Sequence, residues 1–112
     1  MKTIAGLTKQ VTAMDGQPVA EGGRPVTPAT IIANSLGRTV CDQPLRAIDL
    51  GLKLIALNGT GSIDVDDADL AMMLDAINKD TALTNLGKAW ALRALEAVTD
   101  TAGDREQRRA KD

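Results

Sequence analysis

The sequence predicts an α+β fold, a short N-terminal β-hairpin followed by about four α-helices forming a small helical bundle. Three observations carry that expectation. Residues 7–27 combine rough apolar–polar alternation with an Asp-Gly pair and two prolines, the marks of short strands and tight turns. Apolar residues after position 28 recur instead at helical spacing, between recognisable cap residues. A chain of 112 residues with 44% apolar content has room for one core of ordinary size. Residues 1–27 are therefore read as a hairpin segment packed on a helical body at 28–100, in one domain, with a charged C-terminal tail at 101–112.

In the hairpin segment, Leu7, Lys9, Val11 and Ala13 alternate with Thr8, Gln10, Thr12 and Met14 and run into Asp15-Gly16. Both central positions of a type I′ turn need φ > 0, and Asp and Gly tolerate it. A local echo follows, Gly16-Gln17-Pro18-Val19 and Gly23-Arg24-Pro25-Val26. Proline cannot donate to a ladder, so these returns should be short and lie at a sheet edge, with a third short strand as an option. So small a sheet must lean on the helices.

The first helix opens at Thr27-Pro28, with the threonine as N-cap and proline at the first helical position. Ile31, Ile32 and Leu36 form its buried side, and Gly37 is a ready left-handed stop. The second helix runs from about Gln43 to Leu57, with Asp42 as cap and Asn58-Gly59 as its end. Leu45, Ile48, Leu52 and Ile55 fall on one stripe, and Leu50, Leu54 and Leu57 on an adjoining one. A helix apolar on two sides is either the centre of the fold or part of a subunit interface, so a homodimer is one way to bury both stripes.

The segment Thr60–Val65 alternates weakly and can add a strand to the hairpin. The third helix starts at Asp66, with Asp69 three residues on as an acidic variant of the capping box, and Leu70, Met73, Leu74 and Ile77 mark its buried face. The fourth spans roughly Thr84–Thr99, with Leu86, Trp90, Ala94 and Val98 at i+4 steps, widened by Leu92 and Leu95. The tail mixes Arg105, Arg108, Arg109 and Lys111 with Asp104, Glu106 and Asp112 and reads as solvated.

Composition removes whole classes of chemistry. The sequence has no His, so it contains no Ser-His or Cys-His dyad and no imidazole metal ligand. Its one cysteine, Cys41, forms no internal disulfide and no thiolate cluster, and reads as a small buried hydrophobe. Without Phe or Tyr and with one Trp, it offers no stacking platform for single-stranded nucleic acid. The opening residues lack the apolar core of a signal peptide, and no apolar run approaches the roughly 18 residues of a membrane span.

The acidic run Asp64-Val65-Asp66-Asp67-Ala68-Asp69 has the look of a calcium loop. Counted from Asp64, however, position 5 is Ala68, position 6 is Asp69 rather than Gly, and position 12 is Asp75 rather than Glu. Helix capping by carboxylates at the positive end of the helix dipole accounts for the run, which also offers an acidic surface to a partner. Asp64, Asp66, Asp67 and Asp69 are thus the candidate contacts, together with Trp90, the sole aromatic. Ala33 and Gly37 have the spacing of a helix-turn-helix, but Gln43 stands where an apolar residue belongs, followed by Pro44. Residues 41–100 carry five Lys/Arg against ten Asp/Glu, a balance that repels phosphate. No residue set is assigned to catalysis, a cofactor or a metal.

The Asp15-Gly16 turn, the Gly-x-Pro-Val return at 23–26, Thr27 opening a helix that closes on Asn34-Ser35-Leu36, the Pro44-Leu45 helix and the Ile63–Leu70 segment together resemble small uncharacterised accessory proteins of tailed bacteriophages and prophages. The resemblance covers about residues 7–80. It implies a protein of the bacterial host cytoplasm. The expected function is non-enzymatic, binding a host or phage protein as an inhibitor of a host factor or as an assembly helper; the alternative is a dimeric DNA-binding transcriptional regulator.

Overall fold

A computed structural model describes residues 2–57, 61–97 and 99–100. The order of elements is β1 (Lys2–Ile4), β2 (Ala20–Glu21), β3 (Arg24–Pro25), α1 (Pro28–Arg38), α2 (Pro44–Ile55), β4 (Ile63–Val65), α3 (Asp67–Lys79), α4 (Asn85–Glu96) and β5 (Thr99–Asp100). The fold is α+β, with a two-stranded N-terminal hairpin and four helices.

The hairpin pairs β2 with β3 and turns at Gly22-Gly23, whose φ angles of 56° and 79° supply the two left-handed positions of a tight turn. A turn also forms at Asp15-Gly16, but it is not the expected type I′ turn: Gly16 has φ 85° while Asp15 has no positive φ, and the Gly16 N–H bonds the Ala13 carbonyl at 2.9 Å. The Asp15 carboxylate accepts from the Gln17 N–H at 3.0 Å, and the Ala13 N–H donates to the Gln17 carbonyl at 2.8 Å. It closes only the single bridge Thr12–Pro18, because prolines 18 and 25 interrupt the donor row. Main-chain bonds from Val11 to Val26, Val19 to Val11 and Val26 to Val19 knit three passes of chain together.

The strand at 63–65 is present, but it does not join the hairpin. It pairs antiparallel with β1, in the register Lys2–Val65 and Ile4–Ile63, and β5 pairs with the other edge of β1, giving the order β4-β1-β5. Ile4 and Val65 are buried, so the small sheet is held by its apolar face as well as by its ladder. Gly61 leads into β4 at φ +64°; a Cβ there would lie 2.7 Å from the Thr8 backbone nitrogen, and the Gly61 carbonyl takes the Leu7 N–H at 3.0 Å. Only glycine allows that close approach.

Helix α1 is the centre of the bundle and packs on α2, α3 and α4. Its start is the expected one. The Thr27 hydroxyl accepts from the Thr30 N–H at 3.3 Å while the Thr30 hydroxyl oxygen accepts from the Thr27 N–H at 3.0 Å, a reciprocal capping box. Its end is not the expected one. Gly37 lies inside the helix without a positive φ, and the C-cap is Thr39, whose N–H bonds the Ser35 carbonyl at 3.0 Å. The Ala33–Gly37 spacing therefore falls within one helix rather than at a turn. Nothing lies within 4 Å of a Cβ added at Gly37, so Gly37→Ala is expected to stabilise the protein by about 0.5–1 kcal/mol, read as a higher midpoint in thermal or urea unfolding. A glycine acting as a left-handed stop would give the opposite sign.

Helix α2 begins one residue later than a cap at Asp42 requires. Gln43 is the N-cap and makes no side-chain capping bond, because Pro44 occupies the first helical position and pushes the preceding residue out of helical geometry. The helix ends at Ile55; the expected Asn58-Gly59 end lies outside the described residues. Ala47, Leu50, Gly51 and Leu54 face inward, and Gly51 lies against the Ala33 backbone, whose carbonyl oxygen would be in ordinary contact, 3.6 Å, with an added Cβ. The core joins these residues to Ile4, Leu7, Ile32, Met73, Ile77 and Leu95.

On α3, Met73, Ala76 and Ile77 are buried, with Leu70 and Leu74 half-buried beside them. On α4 the buried line is Ala91 and Leu95, a rotation away from the Leu86–Trp90–Ala94 stripe, whose members are half-buried; Val98 and the tail at 101–112 lie outside the described residues.

Candidate functional site

The residues that sequence reasoning offered as acidic contacts are all engaged within the chain. Asp66 caps α3, accepting the Asp69 N–H at 2.7 Å. Arg46 on α2 bonds Asp69 at 2.9 Å and both oxygens of Asp66 at 3.0 and 3.1 Å. The capping bond from the Asp69 N–H and the neighbouring guanidinium hold the Asp66 carboxyl below the usual carboxylate range. Asp67 pairs with Lys2 at 3.0 Å, and Asp64 accepts from the Thr3 hydroxyl at 2.6 Å. Asp66, Asp67 and Asp69 therefore fasten the start of α3 to α2 and to β1, and Asp64 ties β4 to β1. Among the described residues, no three Asp, Glu or Cys side chains are grouped to hold a metal ion. Trp90 is half-buried against the core on α4, away from the acidic run in sequence and on a different helix.

A second ionic cluster was not anticipated. Asp80, the C-cap of α3, is 4% exposed and gathers four donors: the Ser35 hydroxyl at 2.7 Å, Arg38 Nε at 3.0 Å and Nη2 at 2.7 Å, and the Ala82 N–H at 3.0 Å. The Arg38 guanidinium, aided by Ser35 and Ala82, holds this carboxyl down at about 2 against the opposing effect of burial. Ser35 and Arg38 stand three apart on α1 and so share a face, a sequence signal that exists, but their partner lies more than forty residues away.

The surface most in need of explanation is the outer side of α2. Leu45, Ile48, Leu52 and Ile55 are 82%, 48%, 63% and 55% exposed. The adjoining stripe, Leu50 and Leu54, is the one turned into the core, with Leu57 half-buried. Among the described residues, α1 is the element packed closely on α2, on the side opposite to these four residues. The four exposed residues follow steps of three, four and three, the spacing of alternating a and d positions in a coiled coil. Polar Asp49 and Lys53, both exposed, run along one flank. At its C-terminal end the ridge reaches a groove of about 390 Å³ between the β2–β3 hairpin, α1 and the α3–α4 turn, whose walls include Val19, Ile31, Ile55 and Leu86. Among the described residues, no buried side-chain polar atom lacks a hydrogen-bond partner, so nothing polar is held in reserve inside.

The fold and this surface define a small α+β domain carrying an apolar ridge on α2 that is exposed among the described residues. No family model, curated protein or solved structure matches the chain. No described helix is long and apolar enough to cross a membrane.

Proposed function

We propose that this chain is a non-enzymatic accessory protein that works by protein–protein contact, with the outer face of α2 as its contact surface. The observation that carries this reading is the row of four large aliphatic side chains left in solvent on one helix. Single exposed apolar residues are ordinary, but a contiguous ridge of this kind marks an interaction site. The ionic clusters support the non-catalytic part. Asp66 and Asp80 both have lowered pKa values and stay ionised, the reverse of the raised value a general acid needs near neutral pH. The resemblance to tailed-phage accessory proteins supplies the setting, a bacterial cytoplasm with a host or phage protein as partner.

A photo-reactive amino acid placed at position 52 and activated in bacterial cells tests the reading. It is expected to give a protein adduct, while the same group at exposed Asp75 on α3 gives none. Absence of any adduct from position 52 would remove the basis of the proposal.

A further inference from the structure

We infer that the partner covering the α2 ridge is a second copy of this chain, docked by antiparallel pairing of the two α2 helices about a two-fold axis. This deepens the reading of α2 as the contact surface and rests on it.

Among the described residues, none covers the ridge. Outside the described residues the sequence holds only Met1 and Val98 as large apolar side chains, too few to bury four aliphatic residues. A narrow seam at a/d spacing fits another helix with the same spacing better than it fits a flat sheet or a loop. The ridge is complementary to itself when reversed. With the axis at the height of Leu50, Leu45 meets the partner's Ile55 and Ile48 meets the partner's Leu52, so every layer sets one leucine against one isoleucine.

Asp49 and Lys53 each follow a ridge residue by one position and so lie on the same flank. Reversal about that axis sets Asp49 about 3 Å in height from both the partner's Lys53 and the partner's Asp49, so charge is balanced in this register and the apolar layers decide it. A parallel pairing would instead stack leucine at a and isoleucine at d, an order that favours larger bundles over two strands.

Area is adequate for a modest dimer. The four ridge residues expose on the order of 400 Å² per copy, about half of the roughly 800 Å² per partner of a standard interface. Exposed Gln43, Pro44, Asp49, Lys53 and Ala56 around them provide the remaining rim.

Light scattering on the full chain from about 1 to 200 μM is expected to show a monomer–dimer equilibrium with a Kd on the order of micromolar. Leu52→Lys is expected to stay monomeric throughout with an unchanged circular dichroism spectrum. In a Cys41→Ser background, a mixture of Leu45→Cys and Ile55→Cys chains is expected to form a mixed disulfide, whereas Leu45→Cys alone is not. In the antiparallel register the two copies of position 45 lie about 15 Å apart along the axis, beyond disulfide reach. Preferential self-crosslinking of Leu45→Cys, or a mass above the dimer, would overturn the antiparallel pair. A strict monomer at 200 μM would overturn self-association. If position 52 then still crosslinked to a different protein, the contact-surface reading would stand without this one, and if it crosslinked to nothing, both would fall.

Discussion

Leu54→Ala is expected to lower the free energy of unfolding by about 3–4 kcal/mol, while Leu52→Ala, two residues earlier on the same helix, costs less than about 1 kcal/mol. Leu54 is 1% exposed and belongs to the core, so truncation removes transferred apolar area and leaves a cavity. Leu52 is 63% exposed, so its truncation removes little buried apolar area. Urea denaturation at sub-micromolar concentration checks the pair, since dilution keeps self-association from adding to the apparent stability of Leu52. In a domain of this size the Leu54 effect corresponds to a fall in Tm on the order of 15 °C. The reverse ranking would mean that the other stripe of α2 faces inward, and the ridge would lose its meaning as a contact surface.

Asp80→Ala is expected to cost about 3 kcal/mol at pH 7. It leaves the Ser35 hydroxyl and the Arg38 guanidinium without their shared acceptor and releases the Ala82 N–H from its turn. The loss stays nearer to the lower end of the range for broken buried pairs, because the Arg38 side chain is 45% exposed and water can take over part of its solvation. The pH dependence has a definite sign. The folded-state pKa, about 2, lies below the value of 3.8 expected without these contacts, so the carboxylate stabilises the fold fully above about pH 4 and progressively less as pH falls through 4 to 2. Asp80→Asn keeps the shape without the charge. Its stability is therefore expected to trail the wild type at pH 6 and to converge with it near pH 2, measured by urea midpoints across that window.

Much of the molecule was legible from short stretches of sequence. Thr27-Pro28 gave the start of α1, and Asp66 the start of α3 with its capping bond to the Asp69 N–H. The place of a turn at Asp15-Gly16 was likewise readable, though the strand pair turns at Gly22-Gly23 instead, as was the extended run at 63–65. The Asp69 carboxylate, expected to reach back in a capping box, instead turns to Arg46, a partner twenty-three residues away on another helix. Gly37 looked like a stop because glycine often ends helices, yet α1 carries through it to Arg38, whose side chain is anchored on Asp80. Such tertiary contacts override a local preference of about 1 kcal/mol.

By itself, the sequence determined the α+β class, the four helices and the N-caps of α1 and α3, since each depends on groups within a turn or two of one another. It also set two apolar stripes on α2. Which stripe would face inward, that β4 would pair with β1 rather than the hairpin, and that Ser35, Arg38 and Asp80 would share one buried carboxylate were decided only by tertiary structure. The physical reason is that two apolar stripes on one helix carry comparable drives for burial. The choice between them falls to the fit with the neighbour, here α1, against which the small Ala47 and Gly51 lie in line with Leu50 and Leu54.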